Sequence, residues 1–293
     1  MTTRRYLQLD VFADRPGAGN PLAVILDSDG LDSAAMQSMA AWLNVSETVF
    51  FLPVEQPGQR YRIRIFTPGQ ELPFAGHPSV GAAWAALHAG LVDEVAELQQ
   101  ECAAGVLPVR NSVLAGSRII ELRTPAARRM PIPAATGDAC SRWLPGARIG
   151  QLGAALWNNG PGWWLVELAD ASEVRRLQPD LAAIAALSRD TGAVGLAVFA
   201  LTAAADAGQA ALVTRAFCPA DNVPEDPVTG SANACIAHAL AAAGRLPGGH
   251  DHYLASQGRE LQRDGRIQLR VDAQGEVWIG GQVQLVIQGT LSW

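Results

Sequence analysis

One repeat constrains this chain more than any other feature. The stretch "ELPFAGHPSVGAAWAAL" (Glu71 to Leu87) returns as "EDPVTGSANACIAHAL" (Glu225 to Leu240), and the two align without gaps at a spacing of 154 residues. Glu71 meets Glu225, Pro73 meets Pro227, Gly76 meets Gly230, and both copies run through small residues to a glycine, Gly90 or Gly244. Upstream, Ser33 to Leu52 sits against Ala182 to Leu201 at a spacing of 149, with Val49-Phe50 over Val198-Phe199. A loop insertion between elements accounts for the five-residue difference. Several matches in the same order imply a duplicated chain, an N-terminal half over 1–122 and a C-terminal half over 123–293. The Pro- and Ala-rich "RTPAARRMPIPAATG" is the candidate linker, and the last strand of the tail is a candidate to cross back to the first half.

The elements of a half follow from periodicity. "YLQLDVFA", "LAVILD", "ETVFFLP" and "YRIRIFTP" alternate or run apolar with β-branched and aromatic residues, as strands do. "LDSAAMQSMAAWLN" has helical spacing, with Asp32 or Ser33 as its cap. After Gly76, Pro78 falls in a first helical turn and "SVGAAWAALHAG" is apolar or small all round, which predicts a helix buried on every side. "ANACIAHALAAAG" has the same character. The expected class is α/β of the α+β type: two pseudo-symmetric halves, each a strand barrel wrapped around a central helix.

Composition removes several functions. Hydrophobic residues make up 49% and charged ones 17%, which suits a well-buried core. A net charge of −6 argues against nucleic acid or an anionic membrane as a partner. There is no lysine, so a Schiff-base enzyme and a Walker-type phosphate loop are both excluded. Cys102, Cys140, Cys218 and Cys235 are widely spaced and suggest neither a zinc site nor a disulfide framework. The chain start has no long apolar run, and no membrane-length segment occurs, so a soluble cytoplasmic protein is expected.

The chemistry lies where the copies differ. If the halves face each other across a pseudo-twofold, equivalent positions meet, and two helix N-termini offer free N–H groups and a positive dipole end to a carboxylate. Gly76 and Gly230 would let the backbone approach closely. His77 stands against Ser231, Leu72 against Asp226, and Glu47 in "NVSETVF" against Leu196 in "AVGLAVF". Glu47 falls at the start of a buried strand, where desolvation raises a carboxyl group towards the range of a general acid or base. Each has a plainer alternative: a loop glutamate paired with an arginine, a satisfied turn histidine, an Asp-Pro turn. "PGAGN" (Pro16 to Asn20) reads as a turn, His250 and His252 as a surface loop with no third metal ligand, and Trp157, Trp163 and Trp164 as strand core.

"DVFADRPGAGNPLAVIL", "NVSETVF", "FTPGQELPFAGHPSVGAA", "EDPVTGSANAC" and "GGQVQLVIQGTL" together resemble the phenazine-biosynthesis-like (PhzF-like) isomerase family of the diaminopimelate epimerase superfamily. The resemblance implies Glu47 as the proton-transferring acid/base, with His77, Asp226 and Ser231 at the reacting centre. It implies Gly76 and Gly230 as backbone donors to a small-molecule carboxylate, no cofactor, no metal, and a homodimer. Epimerases and racemases of the superfamily carry a cysteine before each motif glycine, and here those slots hold Ala75 and Thr229. The expectation is therefore a single-carboxylate isomerase, with an epimerase/racemase or a non-catalytic small-molecule binder as the alternatives.

Overall fold

A computed structural model describes residues 2–54, 60–132, 140–202, 209–247 and 252–293, with the backbone alone at Cys140 and Ser141. The chain divides into two compact units, Met1–Arg123 with Gly280–Trp293, and Thr124–Ile279.

The first unit contains β1 (Thr3–Val11), β2 (Asn20–Ile25), α1 (Ser33–Leu43), β3 (Glu47–Leu52), β4 (Arg60–Phe66), β5 (Glu71–Leu72), α2 (Gly76–His88), β6 (Glu97–Cys102), β7 (Gly105–Leu114) and β8 (Ser117–Arg123). β2 and β3 run parallel, joined by α1; β4 lies antiparallel to β3 and parallel to β6. The C-terminal strand, Val283–Ser292, pairs antiparallel with β1. Small residues let α2 sit against β1, β2, β3, β4, β6, β8 and that strand, and it is buried along nearly its whole length.

The second unit contains β9 (Arg128–Arg129), α3 (Cys140–Trp143), β10 (Ile149–Asn158), β11 (Gly162–Leu168), α4 (Ala171–Arg176), α5 (Leu181–Thr191), β12 (Gly195–Leu201), β13 (Leu212–Cys218), β14 (Val223–Asp226), α6 (Gly230–Ala242), β15 (His252–Gln257) and β16 (Gly265–Val271). Its plan matches that of the first unit. β11 and β12 run parallel across α4 and α5; β13 is antiparallel to β12 and parallel to β15; α6 packs against β11 and β16. Each unit is a set of strands packed around one buried helix, in a mixed α+β class.

Local signals explain the matched elements. Asp32 caps α1 by accepting from the Ala35 amide at 2.8 Å, and Asp180 caps α5 from Ala183 at 3.0 Å. Both helices end on a left-handed residue, Asn44 at φ 52° and Gly192 at φ 67°. These caps relate the two helices at a spacing of 148, one less than the strands that follow. The extra residue falls between Gly192 and Leu196.

The repeated glutamates are structural. Glu71 pairs with Arg64 of β4 at 2.6 Å, and Glu225 with Arg215 of β13 at 2.8 Å. The first pair is partly exposed, whereas Arg215 and Glu225 have side chains only 7% and 10% exposed. Arg215 also donates to the Val174 and Leu177 carbonyls, so its charge is fully committed. Glu225→Gln should lower stability by about 3 kcal/mol because it strands a buried cation. Glu71→Gln should cost less than about 1 kcal/mol. Urea midpoints of the two variants check the contrast, and equal losses would contradict it.

Candidate active site

Glu47 is the first residue of β3, opposite Leu22 on β2, and His77 is the second residue of α2. The turn into β3 and the start of α2 bring the two side chains together, with His77 Nε2 3.2 Å from Glu47 Oε2. Their side chains are 6% and 17% exposed, so the contact is largely out of water. Ser46 donates to Asn20 Oδ1 at 3.2 Å, and the Asn20 amide lies 3.5 Å from His77 Nδ1.

The imidazole also hydrogen-bonds the backbone of Pro21. Proline has no N–H, so its carbonyl accepts and a ring N–H donates. Nε2 makes no hydrogen bond, which places the donor at Nδ1. The Pro21 carbonyl cannot change roles, whereas the Asn20 amide can be turned over, so the carbonyl decides the tautomer. Nε2 therefore turns a lone pair towards Glu47, and the contact becomes a hydrogen bond when the carboxyl group carries a proton.

Burial lowers the His77 pKa from the ordinary 6.5 to about 3, against the opposing Pro21 bond. The folded state thus holds His77 neutral, while the unfolded chain protonates it below 6.5. Its contribution to stability is complete above that pH and is lost as pH falls towards about 3. The slope is at most about 1.4 kcal/mol per pH unit. His77→Gln should flatten this part of the stability–pH curve in denaturant melts between roughly pH 7 and 4.

In the second unit, Asp226 ends β14, Thr229 is the residue before α6, and Ser231 is the second residue of that helix. Thr229 Oγ1 donates to Asp226 Oδ2 at 2.5 Å. The Trp163 indole N–H donates to Ser231 Oγ at 3.0 Å, and Asn159 Nδ2 to the Ser231 carbonyl at 3.1 Å. Indole can only donate, so Ser231 accepts there and keeps its own proton for another acceptor.

The two helix starts are built alike. Ala75 and Thr229 are both extended and neither makes a side-chain capping bond to a first-turn amide. One turn on, Ser79 Oγ donates to the Ala75 carbonyl at 2.8 Å and Asn233 Nδ2 to the Thr229 carbonyl at 2.9 Å. Gly76 and Gly230 are not among the positive-φ glycines, so it is the missing side chain, not an unusual backbone, that sets them apart. Among the described residues no group of three or more His, Cys, Asp or Glu side chains could hold a metal. Burial pushes the Cys235 thiol up, away from the thiolate form.

Each predicted residue is now placed. Glu47, His77 and Gly76 lie in the first unit, with Glu47 and His77 in contact; Asp226, Ser231 and Gly230 lie in the second. Trp163 and Trp164 are buried in β11, and the Trp163 N–H proves to hold Ser231. "PGAGN" forms a turn that leads into β2. His252 opens β15 at the surface, and His250 lies outside the described residues. Sequence reasoning missed Asn20, Pro21 and Ser46 around His77, and gave Thr229 no role beyond a missing thiol.

No helix among the described residues is long and apolar enough to cross a membrane. The family model for phenazine biosynthesis-like proteins (PhzC-PhzF) matches residues 9–289. A protein of Mesorhizobium japonicum named as an uncharacterized isomerase is 35% identical over 99% of this chain and 99% of its own. The trans-2,3-dihydro-3-hydroxyanthranilate isomerase of Pseudomonas aeruginosa is 34% identical over 93% of this chain and 92% of its own. In structure, the Bacillus anthracis phenazine biosynthesis protein of the PhzF family is similar with a TM-score of 0.86, at 25% identity and over 100% of both chains. The chain belongs to the phenazine biosynthesis-like family and is an isomerase.

Proposed function

We propose that this isomerase moves one proton between two carbons of a small cyclic or unsaturated carboxylate, with Glu47 as the acid/base and no cofactor. The observation that carries the reading is the 3.2 Å contact between Glu47 and a buried, neutral His77. Glu47 takes a proton from an activated carbon, the electron pair shifts along the unsaturated system, the carboxyl proton exchanges with solvent, and the same carboxyl group returns a proton to a second carbon. One C–H bond breaks and one forms, so no electron acceptor enters the balance. While the proton rides on Glu47, His77 Nε2 accepts it in a hydrogen bond and holds the carboxyl group in one orientation.

The first-turn amides at Gly76, beside Glu47 and His77, stabilise the substrate carboxylate or the charge that develops in the transition state, and those at Gly230 offer the same donors at the start of α6. Ser231 adds a hydroxyl proton and Asp226 a carboxylate at the start of α6. A two-thiol racemisation has no groups to run on, since Ala75 carries no acid and the Thr229 hydroxyl is committed to Asp226. A cytoplasmic location and a homodimer belong to the same proposal, and sedimentation velocity tests the dimer.

The P. aeruginosa relative supplies the probe by its name, trans-2,3-dihydro-3-hydroxyanthranilate. Proton NMR of this probe with the wild-type protein should show the ring double bonds relocated. Inversion at a stereocentre with no relocation would support an epimerase, and an unchanged spectrum would remove this substrate class.

A further inference from the structure

We propose that Gln257 is a positioning residue that fixes the Asp226 carboxylate through the Thr229 hydroxyl. The inference rests on the reading of Asp226 as part of the reacting centre. Gln257 ends β15 and is completely buried. Its Nε2 donates to Thr229 Oγ1 and to the Asp226 carbonyl, both at 2.9 Å. Its Oε1 accepts from the Thr229 amide at 3.0 Å and from Asn233 Nδ2 at 2.9 Å. Asn233 is itself held, because its Oδ1 accepts from Thr214 Oγ1 at 3.1 Å.

These partners leave no freedom. A glutamine amide has two N–H donors and two acceptor lone pairs, and all four are used. Turning the amide over would set its N–H group against the Thr229 N–H and its oxygen against the Asp226 carbonyl. The orientation is therefore forced, and Thr229 Oγ1 must accept from Gln257. Its single proton then has one remaining direction, towards Asp226 Oδ2, where the bond measures 2.5 Å. One buried side chain thus sets the hydroxyl, and the hydroxyl sets the carboxylate.

The first unit clamps its helix start with a glutamine two positions away in register. Gln100 on β6 pairs opposite Tyr61 of β4, three residues before Arg64, whereas Gln257 on β15 pairs opposite Thr214 of β13, the residue before Arg215. Gln100 is also completely buried, and it donates to Ser79 Oγ at 2.8 Å, where Gln257 meets Asn233. Residues 72 and 75 there are leucine and alanine, so neither an acid nor a hydroxyl is present to orient. The second unit extends a structural clamp on the helix start to the one acid that distinguishes it from its twin.

Thr229→Val keeps the side-chain shape and removes only the relay, and Gln257→Met keeps the length of the side chain while removing its donors and its acceptor. Crystal structures of the two variants should show the Asp226 carboxylate turned away from its present position. An unmoved carboxylate in both would overturn the proposal whatever the activity. With the dihydrohydroxyanthranilate probe, both should lose roughly 10- to 100-fold in kcat with KM changed less than about 3-fold, and Thr229→Ser should restore the rate. Wild-type kcat in both variants beside an inactive Asp226→Asn would sink the positioning role. Full activity in Asp226→Asn would instead remove Asp226 from the reacting centre, leaving the crystallographic result to decide the positioning.

Discussion

Glu47→Gln should lower kcat by about 1,000-fold or more on the dihydrohydroxyanthranilate probe, with little change in KM. The substitution removes one property, the ability to take and return a proton. Glutamine matches glutamate in size, and its N–H group can donate to His77 Nε2, so the contact at 3.2 Å survives in neutral form. Stability should therefore stay within about 1 kcal/mol of wild type. Glu47→Asp keeps the acid but withdraws it by one methylene, and a displacement of about 1 Å from the reacting carbon costs on the order of 100-fold. The order wild type, Asp, Gln in steady-state kcat separates proton transfer from mere polarity at this position. A Gln variant as active as the Asp variant would remove Glu47 from the chemistry.

Gly19→Ala should have a large effect on both folding and activity. A methyl group there would lie 2.1 Å from the Val11 carbonyl oxygen and 2.9 Å from its carbon. Both are backbone atoms, so no rotamer change relieves the clash and the β1–β2 ladder must move. The same residue donates its amide to the buried carboxylate of Asp10 at 3.1 Å, and it precedes Asn20, which pairs with Val11 and lies against His77. The expected loss is about 3 kcal/mol, on the order of 10 °C in Tm, together with a fall in kcat as Asn20 shifts. Gly17→Ala is the control. Gly17 is left-handed at φ 85° with open space around its Cβ position, so only local backbone strain of about 1 kcal/mol applies. Calorimetry that found Gly19→Ala no less stable than Gly17→Ala would contradict the close approach.

Much of the architecture was legible because it rests on local signals written twice. The helix cap at Asp32 and the all-round small residues of α2 and α6 follow from short-range pattern. Glu47 and His77 stood out because their counterparts, Leu196 and Ser231, are chemically different. Comparison of the copies was less informative where both carry the same residue. Glu71 and Glu225 look like a shared functional motif, yet each pairs with an arginine of the neighbouring strand. Those arginines precede them by seven residues in one copy and ten in the other, so no alignment at fixed spacing shows it.

Gln257 lies 28 residues beyond Thr229, and its role depends on the parallel pairing of β13 with β15. That pairing brings two distant segments side by side, and periodicity reports nothing about it. The tautomer of His77 was equally out of reach. It is fixed by a backbone carbonyl 56 residues earlier in the chain, and a carbonyl leaves no mark in composition or spacing.

The account turns on whether a single carboxyl group carries the migrating proton. Deuterium incorporation from D2O into the dihydrohydroxyanthranilate probe, followed by NMR, tests this most directly. Wild-type protein should place deuterium at the one carbon that receives the proton, and Glu47→Gln, still binding the probe, should place none above the protein-free control. Incorporation by Glu47→Gln at the wild-type rate would show that another group moves the proton.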